Sequence, residues 1–220
     1  MTDRAVRWGG FAAIVFVVLI VITVFAGGQP PAADDPADKI RTYLVDHRTG
    51  LLVSNFLGLL AIPFVIWFGV VLRELVRGDR AANALGTASL SGLLVTAPMA
   101  MAGGALSVAP IYVDGVADKL GDDALRIVFE SQMLLFAATS GGIVLFSLLA
   151  GLAIRRTTAL PAYTMWLAFL ATVGNVVTMI SVFGSGVSAL GLPGLLTFAL
   201  FLLVTGITMA AGKATPAATV

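Results

Sequence analysis

Few side chains in this sequence can do acid–base or polar chemistry inside an apolar chain, and they fall at a handful of places. Glu130 follows Arg126 by four residues and precedes Gln132 by two. On a helix, Arg126 and Glu130 share a face, so the spacing fits either an ion pair at a membrane edge or a carboxylate poised to carry a proton or cation. Asn55, beside Ser54, and Asn175, between Thr172 and Thr178, stand within long uncharged runs. Such amides either hydrogen-bond between helices or line a substrate path. His47 is the single histidine and sits between Asp46 and Arg48; with Tyr43 it reads as an interfacial side chain, and a lone imidazole could also titrate near neutrality. Asp122 and Asp123, close to Glu130, are the remaining carboxylates that could supply an acid and base pair.

Larger constellations are missing. There are no cysteines, which excludes disulfides, thiolate metal sites and thiol nucleophiles. The sequence contains no phosphate-binding glycine loop, no H-E-x-x-H and no serine elbow with a histidine partner. No metal and no cofactor is expected, and the balance leans away from an enzyme. With 13 Lys and Arg against 12 Asp and Glu, the chain offers no basic surface for nucleic acid.

The elements that must position these residues are membrane spans. Apolar residues make up 59% of the chain and charged ones 11%, far too few charges to cover a soluble fold. A span needs about 20 apolar residues, and such runs occur at 11–27, 51–72, 86–109 and 127–154. The last uncharged stretch is too long for one helix. Gly184, Gly186, Gly191, Pro193 and Gly194 divide it into spans at 159–183 and 195–211. The expected fold is therefore an all-α membrane protein, a six-helix bundle forming one transmembrane domain over residues 1–212, with a tail at 213–220. The first run also has the outline of a signal peptide, with Arg4 and Arg7 ahead of it, but its apolar core is long for one.

Orientation follows the distribution of Lys and Arg. With the N-terminus inside, cytoplasmic segments hold eight of them, outer segments five, and the outer loops gather nine of the twelve acids. Both termini are thus expected in the cytoplasm. The Arg-, Ala- and Gly-rich usage is associated with GC-rich bacterial genomes, and a bacterial plasma membrane is the expected location.

The outer loop at 28–50 carries Ile40, Tyr43, Leu44 and His47 at i, i+3, i+4 and i+7. That spacing predicts an amphipathic helix capped by Asp35, entered at Pro36 and stopped by Gly50. It should lie flat at the interface or fold over the bundle mouth. Its start, Ala37-Asp38-Lys39-Ile40, is echoed by Ala117-Asp118-Lys119-Leu120 in the second outer loop, in the manner of a parallel internal repeat. Small residues at four-residue spacing, Ala88 with Gly92, Ala137 with Gly141 and Ser147 with Gly151, predict close helix contacts, within the bundle or with a protein partner or second copy. Pro98 should kink the third span or open it locally.

Two stretches resemble a known family. His47-Arg48-Thr49-Gly50-Leu51-Leu52-Val53-Ser54-Asn55-Phe56-Leu57, followed by Leu72-Arg73-Glu74-Leu75, is similar to the second span of the DUF4386 family of small six-span bacterial membrane proteins. Leu160-Pro161-Ala162-Tyr163-Thr164-Met165-Trp166-Leu167 is similar to that family's entry to the fifth span, with Tyr163 where its pattern has a first Trp. The resemblance implies six spans and brings no activity. On function, the residues point first to an accessory or structural subunit or a binder of a lipophilic molecule. A small proton-coupled permease using Glu130 is the alternative, and an intramembrane lipid-modifying enzyme is the third.

Overall fold

A computed structural model describes residues 2–32, 35–180 and 191–215. Eight helices follow one another among them: α1 (Asp3–Gly27), α2 (Ala37–Asp46), α3 (Arg48–Leu75), α4 (Arg80–Tyr112), α5 (Val116–Lys119), α6 (Asp122–Thr157), α7 (Ala162–Ile180) and α8 (Gly191–Ala210). Six of these, all but α2 and α5, are long and apolar enough to cross a bilayer. The chain is a multi-pass α-helical bundle.

The six long helices close into a ring in chain order. α1 packs on α3, α3 on α4, α4 on α6, α6 on α7 and α7 on α8, and α8 returns to α1. Lipid gives helices no hydrophobic reason to associate, so close backbone approach must hold them together. Two glycine contacts supply it. A β-carbon on Gly92 of α4 would meet the backbone of Gly142 and Phe146 on α6, and one on Gly10 of α1 would collide with the Gly206 carbonyl of α8. The small residue Gly151 is likewise spent inside the chain, against Phe169 of α7.

The inner face of the ring is filled by aromatic rings. Phe146 of α6 is 1% exposed. It meets Phe68 of α3 and Phe198 of α8 edge-on, at centroid distances of 6.4 and 6.1 Å, and Phe201 at 6.1 Å. Phe16 of α1 stacks edge-on against Phe198 at 6.3 Å. These are favourable quadrupole geometries that also exclude water. Leu72, Leu75, Ile154, Leu202 and Met209 continue this core toward the end of the bundle that carries both termini, and Trp8, Trp67 and Trp166 stand exposed on that side, as interfacial aromatics do.

At this terminal end Asp79 caps α4. Its Oδ1 accepts from the Ala82 N–H at 2.8 Å, and Arg156 of α6 donates to its Oδ2 through Nε at 2.8 Å and Nη2 at 2.6 Å. The Arg156 hydrogen bonds, helped by the Ala82 N–H, hold the Asp79 carboxyl down at about 2, below its ordinary 3.8.

Several local expectations are corrected. Asp35 does not cap α2, whose first flanking residue is Pro36 without a side-chain cap; its carboxylate turns back to the Ala32 N–H at 2.7 Å and to Lys39 at 2.8 Å. Gly50 does not stop α2 but lies inside α3, where the Ala26 carbonyl of α1 leaves no room for a side chain. Gly191, Pro193 and Gly194 form the first turn of α8 rather than a break, because a proline is tolerated where the N–H has no partner to lose. The expected turn at Gly184 and Gly186 lies outside the described residues. Pro98 and Pro110 both lie within the single helix α4, an arrangement compatible with a bend at Pro98.

Two outcomes follow. Phe146→Ala should lower stability in detergent by about 3–5 kcal/mol, the usual cost of deleting a fully buried phenyl ring, measured by denaturant titration. Because the Asp79 carboxyl titrates below its unfolded value, the Asp79–Arg156 clip should be fully effective above pH 3.8 and be lost as pH falls toward 2. A melting series should show that loss in the wild type, and Asp79→Asn should remove the share of the acid dependence that the clip contributes.

Candidate functional site

The polar residues gather at the end of the bundle opposite the termini, where α2 forms a lid. Ile40 and Leu44 on one face of α2 are buried against Val108 and Ile111 of α4, Ala117 of α5, and Leu125 and Phe129 of α6. Of the two placements open to the amphipathic helix, it takes the one over the bundle mouth. Its hydrophobic stripe has somewhere to go because α4 and α6, at 33 and 36 residues, are about 50 and 54 Å long at 1.5 Å per residue and overrun a hydrocarbon core of about 30 Å.

Guanidinium groups tie the lid down. Arg41 of α2 donates to the Ala117 carbonyl, to the Leu120 carbonyl at 2.9 Å and to Asp122 Oδ1 at 2.8 Å. Arg48, in the first turn of α3, donates to the Ile111 and Tyr112 carbonyls at 2.8 and 3.3 Å. Those are the last carbonyls of α4, which no helical N–H reaches. Arg126 of α6 donates to the Asp35 carbonyl at 3.1 Å. Tyr43 completes the attachment, donating its hydroxyl to the Gly27 carbonyl at the end of α1 at 2.7 Å; burial pushes its phenol pKa upward. His47 is exposed, stacked on the Tyr43 ring at 4.9 Å. The Lys39 contact, with the Ala32 N–H behind it, draws the Asp35 carboxyl below its ordinary value.

The residues singled out by type separate into different environments. Asn175 is used structurally: its amide donates to Ala171 in its own helix at 2.9 Å and to the Gly194 carbonyl of α8 at 3.1 Å. Asn55 is half-buried, with its side-chain oxygen against the backbone of Gly104 on α4, and makes no hydrogen bond among the described residues. Glu130 is exposed and forms no ion pair among the described residues; Arg126, which shares its helix face, is turned to Asp35 instead. Twenty residues up α6 from Arg155 end near Leu135, about 30 Å away, so Glu130 stands about 7 Å beyond that level, at the lid-side rim. Gln132 differs from all of these. It is only 8% exposed, beside Leu44, Ser107, Pro110 and Phe129, and its amide has no hydrogen-bond partner among the described residues.

Arg41 and Arg48 are the residues that sequence patterns missed. Arg41 reads as part of a solvated helix face, and its value lies in carbonyls 76 and 79 positions away. The two echoed segments meet here, since α5 and the start of α2 share the cluster around Ile40 and Ala117.

Fold and lid together define a multi-pass membrane bundle with one capped mouth. Comparison with known proteins finds no matching family, no matching characterised protein and no matching solved structure.

Arg41→Leu should free the lid without unfolding the ring. Charge-assisted hydrogen bonds are each worth about 1.5–3 kcal/mol, so amide exchange over residues 37–46 should accelerate roughly tenfold to a hundredfold while α7 and α8 exchange as before.

Proposed function

We propose that this chain is a non-enzymatic bundle of the bacterial plasma membrane, with both termini cytoplasmic, that acts as an accessory subunit or as the binder of a lipophilic molecule. The observation that carries this reading is the aromatic filling of the ring: Phe146, Phe68, Phe198 and Phe201 occupy the axis, where a permease needs polar or ionisable groups for its cargo. Two further observations support it. Asn175 spends its amide on helix pairing, and Asp122, one of the carboxylates an enzyme would need beside Glu130, is engaged by Arg41. Membership of the DUF4386 family belongs to the same reading and adds no chemistry.

The test is purification in mild detergent followed by mass spectrometry of co-purifying proteins and lipids, with reconstitution into liposomes in parallel. A stoichiometric protein partner or retained lipophile is the expected result. A clean, ligand-free monomer that moves a solute in liposomes would overturn it in favour of the permease, in which case Glu130→Gln should abolish uptake while leaving expression and folding intact.

A further inference from the structure

We propose that the terminal end of α1, together with the chain leaving α8, is a binding site for an anionic phospholipid of the phosphatidylglycerol class. Arg4, Arg7 and Lys213 take the headgroup phosphate, and the exposed stripe of α1 below them takes an acyl chain. The site goes beyond the reading above and holds whichever partner or lipophile the bundle serves.

Positive charge at this end exceeds what the protein itself neutralises. Arg73 and Arg77 share Glu74, and Arg156 holds Asp79. Arg4, Arg7, Arg80, Arg155 and Lys213 form no ion pair among the described residues. Asp3 stands one turn before Arg7 and is not paired with it, so Arg4, Arg7 and Lys213 still leave a surplus of two charges beside α1. The three are also brought together. A β-carbon on Gly212 would lie 3.3 Å from Arg7 Nη2, so the guanidinium leans over the residue next to Lys213. The chain there is fixed, because Gly212 and Lys213 donate their N–H groups to the Met209 and Thr208 carbonyls at 3.1 Å, and Thr215 donates to the Ala159 carbonyl at 3.0 Å.

Charge and surface together specify the ligand. Guanidinium forks suit phosphate oxygens, and basic residues at the membrane surface attract anionic headgroups. Arg4, Arg7, Trp8 and Phe11 fall at i, i+3, i+4 and i+7 and share one face of α1. Trp8 and Phe11 are exposed, at 51% and 50%, with ring centroids 6.0 Å apart, and Val15, Val18 and Ile22 carry the exposed stripe on toward the other leaflet. A phosphate bound at Arg4 and Arg7 therefore has an apolar track directly beneath it, with the Trp8 indole N–H at the boundary as a further donor. A zwitterionic headgroup would bring its own ammonium toward three cations. The other unpaired pair, Arg80 and Arg155, has no such track: below Arg80 the exposed face of α4 presents Ala81, Ala84, Thr87 and Ser91.

The experiment titrates the full chain in mild detergent with phosphatidylglycerol, and with phosphatidylcholine of the same acyl chains, and reads bound lipid by native mass spectrometry. Phosphatidylglycerol should bind in preference. Arg4→Gln with Arg7→Gln should weaken it roughly 25-fold, about fivefold for each cation removed, and leave phosphatidylcholine binding as it was. Arg80→Gln with Arg155→Gln removes the same charge from the opposite flank and should change phosphatidylglycerol binding less than about twofold. Should the α1 double variant fail to fold, Lys213→Gln, which lies beyond α8, carries the test with a loss of about fivefold. Equal binding of the two lipids, equal losses from the two double variants, or no loss from Lys213→Gln would each overturn the site. Displacement of the lipid by soluble glycerol phosphate at matching concentration would overturn the lipid assignment, since the headgroup alone would then suffice.

Discussion

Everything in this bundle depends on helices approaching one another closely in a solvent that does not push them together. In lipid, an apolar side chain gains little by leaving a hydrocarbon neighbour for a protein one, so the ring is stable only where backbones come near enough for dense packing. Gly92 against Gly142 and Gly10 against Gly206 are those places. The first sets the α4–α6 pair, and the second closes α8 onto α1. Once the circle is closed, its inside must be filled. Phe146 and its aromatic neighbours do this toward the terminal end, and hydrogen bonds of Ser89 to the Phe146 carbonyl and of Thr96 to the Thr139 carbonyl add polar pins along the same α4–α6 seam.

The lid obeys different physics. At the mouth water is at hand, hydrophobic burial operates normally, and α2 folds because Ile40 and Leu44 can leave it. Its attachments are charged donors aimed at helix ends, where carbonyls have no partner of their own. Arg48 on the end of α4 and Arg41 on the end of α5 satisfy that demand. The molecule thus combines a ring fixed by packing in lipid with a cover fixed by the burial of Ile40 and Leu44 and by a few charge-assisted hydrogen bonds.

Much of this was legible in the sequence, and the limits have physical causes. The six spans follow from uncharged runs because a bilayer demands a fixed apolar length. The lid follows from the spacing of Ile40, Tyr43 and Leu44. Helices also run past their spans: α6 begins at Asp122, ahead of the span at 127–154, where two acids in a first turn suit the positive end of the helix dipole. Asp35 resembled a cap because it precedes a proline, but Lys39 and the Ala32 N–H compete for the same carboxylate. Asn55, Gln132 and Asn175 could be picked out as amides among apolar residues, yet type alone does not tell a satisfied amide from an unmet one. Only the facing helix decides, as Gly194 does for Asn175. Arg41 was opaque for a similar reason, since sequence shows a charge and not the carbonyls it will find.

The unequal helix lengths have a mechanical consequence. α7 and α8, with 19 and 20 residues, are each about 30 Å long and match a hydrocarbon core of that thickness. α4 and α6 exceed it by about 20 Å, and both lie on one flank of the ring. Among the described residues, the α4–α6 flank therefore rises as a headland beyond the level that α7 and α8 reach. A bilayer with longer chains would engage the two flanks unequally and lean the bundle over, lowering the headland toward the lipid surface. Membrane thickness then becomes a variable that sets how far the covered mouth stands above the headgroups.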